Sequence, residues 1–134
     1  MKARFADTGF WFARHVAGDR RHDEARRIRP GPRVVTTEWV LGETWTLLNR
    51  RIGHRAAVGG VAAIRTLPGV EVEPVSDTDL AAARRWLESH DEREYSFADA
   101  VSFPVMHRRR LTEALAFGGD FAAAGFVEVR PAPA

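Results

Sequence analysis

A chain of 134 residues with 45% apolar and 28% charged side chains is long enough for one substantial core and too short for two, which predicts a single domain over residues 1–134. It has no cysteine, which excludes disulfides, thiolate metal sites and cysteine nucleophiles, and no apolar run near the roughly 20 residues of a membrane span. A net charge of only +2 excludes a chain that binds nucleic acid by bulk charge, although arginines gather between Arg20 and Arg29 and again at Arg108, Arg109 and Arg110.

Lys2 to Ala6 read as a first strand, and Asp7, Thr8 and Gly9 end it and open a helix through Phe10, Trp11 and Phe12. Asp7 then either lies at the strand's carboxyl end, the edge where open α/β sheets bind ligands, or simply caps the helix. His22 to Arg29 form a polar helix that Pro30, Gly31 and Pro32 stop. Arg33 to Thr36 are β-prone. Thr37 caps a helix that carries Trp39, Val40, Leu41, Thr44, Trp45, Leu47 and Leu48 on a broad apolar face. Glu43 borders that face, where a carboxylate needs an arginine or a metal ion to offset its desolvation, and Glu38 falls on the opposite flank.

His54 to Leu67 read as a helix loosened by Gly59 and Gly60 and ended by Pro68 and Gly69. Val70 to Val75 alternate valine with glutamate and contain Pro74, the pattern of an exposed edge strand. Ser76 or Asp77 caps a helix over Asp79 to His90. Ser96 and Asp99 then form an S-x-x-D capping box that starts an apolar helix at Phe97, and Asp99 sits at the positive end of its dipole, which favours the ionised carboxylate. Pro104 is expected to kink this helix. Thr112 to Phe117 read as a strand, Gly118, Gly119 and Asp120 as a turn past its carboxyl end, and Phe126 to Arg130 as a last strand. Strands alternating with helices imply a parallel sheet covered on both faces. Trp11, Trp39, Trp45 and Trp86 fall at helix-core spacings and are expected to pack inside, and the five histidines are expected on the surface.

There is no phosphate-binding loop, no dinucleotide fingerprint, no H-E-x-x-H and no nucleophile elbow. What remains is a set of acids at strand ends and on helix turns: Asp7, Glu43, Asp99 and Asp120. Carboxylates without cysteine or histidine suit Mg²⁺ or Mn²⁺, hard ions that take oxygen ligands and keep several waters.

The order and surroundings of these acids resemble the PIN-domain ribonucleases, and within them the VapC-type toxins of bacterial toxin–antitoxin pairs. The matching stretches are FADTGFW, VVTTEWVLGETWTLL, YSFADAVSFPVM and LAFGGDFAAAGF, which together span nearly the whole chain. The resemblance implies a three-layer α/β/α domain with a central parallel sheet, a pocket for Mg²⁺ or Mn²⁺, and endonucleolytic cleavage of RNA by metal-activated water. It also implies a cytoplasmic protein that forms a homodimer, contacts no membrane and is blocked by a cognate antitoxin. Asp7, Glu43 and Asp99 take the catalytic metal-ligand positions, and Thr8 supplies a supporting hydroxyl. Gly9 stands where relatives carry a small hydroxyl residue, and Gly118 where they carry a fourth acid. Asp120 is expected to replace that acid through a turn that two glycines permit, or else to cap the segment FAAAG. The displaced fourth acid and Pro104 keep open a second reading, a catalytically weak PIN-like module that binds RNA or protein without cutting; a third is a related nuclease acting in RNA processing or on DNA that is not a toxin.

Overall fold

The computed structural model describes residues 2–133. Its strands are β1 (Arg4–Ala6), β2 (Val34–Thr36), β3 (Val70–Val72), β4 (Glu113–Leu115) and β5 (Val127–Glu128). Its helices are α1 (Thr8–His15), α2 (His22–Arg27), α3 (Glu38–Arg51), α4 (His54–Thr66), α5 (Asp77–Ser89), α6 (Phe97–Arg108) and α7 (Asp120–Ala123). All neighbouring strands run parallel in the order β3-β2-β1-β4-β5, with Phe5 opposite Val35 on one side and Ala114 on the other. The last two strands are shorter than their β-prone stretches, and β3 is an edge strand, as its glutamates and Pro74 require.

The chain builds outward from β1 to β3 and then returns to the other side of β1 for β4. Strand order therefore reverses between β1 and β4, and the segments leaving their carboxyl ends diverge around a crevice. The Asp7 N–H donates to the Leu115 carbonyl at 3.0 Å and fixes the floor of that crevice.

Phe5, Val35, Ala114 and Leu115 are fully buried at the centre of the sheet, together with Phe10, Trp11, Val105 and Met106 from the helices. Helices α5 and α6 pack together through Ala83, Ala100 and Val101, and α3 meets α4 through Leu48 and Ala57. Gly60 serves this second contact. A Cβ there would stand 2.7 Å from Leu48 Cδ1, so the glycine leaves room for that side chain. Helix α6 is buried almost all round, from Ala98 to Phe103 and again at Val105 and Met106, and runs unbroken through the half-buried Pro104.

The arginines at the end of α6 are committed to structure. Arg108 donates to Asp79 at 2.8 Å, to Glu73 at 2.7 Å and to the Pro74 carbonyl at 2.7 Å, while Arg109 binds Glu71 and Glu73. These bonds clamp α6 to β3 and α5, so Arg108 and Arg109 are not free for phosphates. Asp79 is 3% exposed and also completes a capping box with Ser76. Its loss in Asp79→Ala should cost about 2–3 kcal/mol, from a cap and charge-assisted hydrogen bonds together. The Arg108 hydrogen bonds hold the Asp79 carboxyl below its usual range. Its contribution is therefore present above the unfolded-state value of about 4 and is lost as pH falls through the lower folded value. Urea unfolding should show the full difference between wild type and Asp79→Ala at pH 7 and a smaller one near pH 3; an equal difference at both would contradict this role.

Candidate active site

Asp7 follows β1 directly and occupies the N-cap position of α1 in extended conformation, with φ −99° and ψ 167°. Its side chain makes no capping hydrogen bond, and its Oδ1 is buried without any partner. Asp99 enters from the first turn of α6. Ser96 Oγ accepts from the Asp99 N–H at 2.9 Å and Asp99 Oδ2 accepts from the Ser96 N–H at 2.9 Å, so the capping box reads as the sequence implies. One carboxylate oxygen thus starts the helix while the other remains. The two aspartates are 8% and 7% exposed, and each feels the charge of half-buried Glu43 on α3.

Burial is the main reason that both carboxyls resist ionisation. The Asp7 carboxyl is raised well above its usual value by burial, then by the Asp99 charge and, less, by Glu43; nearby Thr8 and Gly9 amides oppose the shift without forming aligned bonds. Burial pushes Asp99 up to about 6, against the Ser96 hydrogen bonds that lower it, with Asp120 and Glu43 adding to the rise. The three acids separated in sequence are therefore close enough to act on one another.

Asp120 lies near enough to Asp99 to influence it, but its Oδ1 accepts from Arg93 Nε at 2.8 Å, and Arg93 also donates to the Gly118 carbonyl. Nor does Asp120 cap α7: Gly119 holds the N-cap in left-handed conformation, φ 93°. The cap is supplied from β5, where Glu128 accepts from the N–H groups of Gly119, Phe121 and Ala122. The Thr8 hydroxyl points to the Val40 carbonyl at 3.4 Å, tying α1 to α3 instead of bonding Asp7. Neither the Arg93 clasp nor the Glu128 cap was legible. Alternating Val and Glu in the last strand was the available signal for Glu128, and Arg93 is the single cation of DEREY with nothing local to say which acid it meets.

A cation fits this arrangement. Among the described residues no basic side chain pairs with Asp7, Glu43 or Asp99, and the orphaned Asp7 oxygen lacks any donor. Also among the described residues, no three acidic or histidine side chains are gathered tightly enough to hold an ion by themselves. The set matches an ion that takes one or two carboxylates and completes its shell with water, as Mg²⁺ does.

Two cavities flank the acids. One, of about 320 Å³, is lined by Gly9, Phe12, Gly118 and the arginines Arg20, Arg21 and Arg51. The other, of about 420 Å³, is lined by Trp39, Gly42, Glu43, Thr46, Phe97 and Ala98. Trp39 is 43% exposed, contrary to the core position its spacing predicts, whereas Trp11 is fully buried and Trp45 and Trp86 are partly so. The buried stripe of α3 runs through Val40, Leu41, Thr44 and Leu48, and Trp39 lies off it on the side of Gly42, Glu43 and Thr46. The histidines are exposed or half-buried, as expected.

A family model of the PIN domain matches residues 4–127. The chain belongs to the PIN-domain family. Within that family it is 58% identical over 130 residues to the 23S rRNA-specific endonuclease VapC20 of Mycobacterium tuberculosis, in strain H37Rv and in strain CDC 1551 / Oshkosh, covering 95% of this chain and 98% of each relative. The crystal structure of M. tuberculosis VapC20, described as a sarcin-ricin loop cleaving toxin, superposes with a TM-score of 0.90 at 56% identity, over 96% of this chain and all of that one. This PIN domain therefore has the three-layer α/β/α architecture, a five-stranded parallel sheet flanked by helices.

Proposed function

We propose that this PIN domain is a divalent-metal-dependent endoribonuclease, the toxin of a toxin–antitoxin pair, and that its substrate is the sarcin-ricin loop of 23S rRNA. The observation that carries the reading is the pair of buried carboxylates at the strand-order reversal, one with an unpartnered oxygen, in a chain 58% identical to a 23S rRNA-specific endonuclease. Asp7 and Asp99 would hold Mg²⁺ or Mn²⁺, with Glu43 adding negative charge. When bound, the cation makes a water nucleophilic near neutral pH and offsets charge on the phosphodiester.

The chain's own residues do the rest. Burial keeps bulk water from the carboxylates, and the capping box fixes Asp99 in one rotamer. Thr8 donates to the Val40 carbonyl, which sets α1 against the helix that carries Glu43, and Thr44 donates to the same carbonyl from within that helix. Arg20 and Arg51 line the neighbouring cavity and suit phosphates on one side of the cut, while Arg21 beside them is paired with Glu24. Asp120, clasped by Arg93, acts by charge and becomes a ligand only if that clasp opens. The whole chain acts as one domain, in the cytoplasm, as a homodimer, with an antitoxin that places a basic side chain against the acids.

Mapping RNA 5′ ends after expression with and without the adjacent antitoxin gene tests the reading. New 5′ ends should appear in the sarcin-ricin loop only without the antitoxin. With purified protein, excess EDTA should stop cleavage and Mg²⁺ or Mn²⁺ should restore it. Undiminished cleavage in EDTA would remove the metal from the proposal. The Arg93 clasp and, among the described residues, the absence of a tightly gathered ligand trio favour a second reading, a weak module that binds RNA without cutting, and purified protein that retains RNA uncut would select it.

A further inference from the structure

Trp39 and Phe97 stand at the first turns of α3 and α6, where the two helices meet on the lip of the crevice. They are 43% and 36% exposed, and leaving large aromatic faces in water forgoes stabilisation that a fold ordinarily takes. Their centroids are 5.0 Å apart with the rings inclined at 56°, so Phe97 props the indole without covering it. Gly42, one turn along α3 from Trp39, leaves the space beside the indole open: a Cβ there would meet nothing within 4 Å.

The cavity beside these rings has the size of a small-molecule subsite, and it is continuous with the acids because Glu43 and Ala98, the neighbour of Asp99, line it. Its charge selects the occupant. The titratable groups on its wall are the carboxylates Glu38, which Arg65 of α4 pairs, and Glu43, which has no basic partner among the described residues, so the Glu43 side repels phosphate and admits a flat neutral group able to donate hydrogen bonds. The arginines lie on the other cavity, beside Gly9 and Gly118.

We propose that Trp39, propped by Phe97, is a stacking platform for one unstacked nucleobase of the RNA, held beside the scissile phosphate with the backbone running toward Arg20 and Arg51. The proposal rests on the endoribonuclease reading above but not on which RNA is cut. Adenine, cytosine or guanine fits better than uracil, because each carries an exocyclic amino group that Glu43 can accept from. Stacking of this kind is worth about 5- to 150-fold in binding per base.

The test uses the full chain and a synthetic RNA hairpin spanning whichever cut site the 5′-end mapping finds, with a series of hairpins carrying a single abasic nucleotide at each position near the cut. Trp39→Ala should raise KM for the intact hairpin about tenfold or more, with a smaller change in kcat, and Trp39→Phe should recover most of the loss. At one abasic position wild type and Trp39→Ala should become equal, which a merely structural role would not produce. Gly42→Leu, which fills the cavity from the same helix face, should reproduce the loss even if Trp39→Ala folds poorly. Equal losses on the intact and every abasic hairpin, or no loss at all, would overturn the platform. So would a Trp39→Ala chain that changes from dimer to monomer in sedimentation while losing activity regardless of base, since the rings would then be a seam between copies. A cut site outside the sarcin-ricin loop would revise the substrate and leave this comparison intact.

Discussion

Asp99→Asn should lower the rate of RNA cleavage by about a thousandfold or more while making the metal-free protein more stable. The first effect follows from the charge needed to hold a cation, whose support of phosphoryl transfer is worth several kcal/mol, with each 1.36 kcal/mol about tenfold in rate. The second follows from crowding. Asp99 is 7% exposed beside Asp7 and Glu43, with no basic partner among the described residues, and burial raises its carboxyl to about 6. Asn keeps the capping geometry with Ser96 and removes the charge, so metal-free stability should rise by about 1–2 kcal/mol at neutral pH. The sign follows from a folded value above the unfolded one. Wild type retains its stability below about pH 4 and loses part of it as pH rises through about 6, so the gain from Asp99→Asn should grow over that window and then level off. Added Mg²⁺ should raise the melting temperature of wild type more than that of the variant. A variant that cleaves at the wild-type rate, or melts lower than wild type in EDTA, would remove Asp99 from the proposed metal site.

Phe103→Ala should destabilise the fold by about 3–5 kcal/mol, the range for deleting a buried aromatic ring and leaving a cavity. Phe103 is 2% exposed and lies one turn after Asp99 on α6. Its ring meets Trp86 at 5.0 Å, Tyr95 at 5.8 Å, Phe121 at 5.1 Å and Phe126 at 5.8 Å, so its loss removes contacts to α5, α7 and the approach to β5 at once. Urea denaturation should show a lower midpoint with an unchanged slope, and the melting temperature should fall by roughly 10 °C or more. A loss under about 1 kcal/mol would mean that the cluster repacks around the void, and Phe103→Leu would then be nearly neutral.

The strand and helix order of this chain is legible because local signals agree with the fold: Ser76 and Ser96 cap where the helices start, and the proline–glycine breaks stand where connections occur. Asp7 and Asp99 are legible as site candidates for a related reason. Each ends a strand or begins a helix, and such positions are set by the same punctuation that sets the elements. Trp39 escaped because helical spacing specifies a face and not what lies opposite it. The packing role of Gly60 escaped because it depends on Leu48 of another helix. Asp120 escaped because its partner, Arg93, lies 27 residues away in a segment without periodicity. What the sequence conceals here is pairwise and long-range, and only packing discloses it.

The cap that Glu128 supplies to α7 also imposes an order of events on the newly made chain. Synthesis proceeds from the N-terminus at about 5–20 residues per second, so Asp7, Glu43 and Asp99 are all made before Glu128. Until Glu128 leaves the ribosome, the N–H groups of Gly119, Phe121 and Ala122 have no acceptor there, and the loop that presents Asp120 and the Gly118 carbonyl to Arg93 lacks its anchor. The nascent chain thus carries an unfinished rim around its acids during elongation, and completes that rim only once Glu128 has emerged.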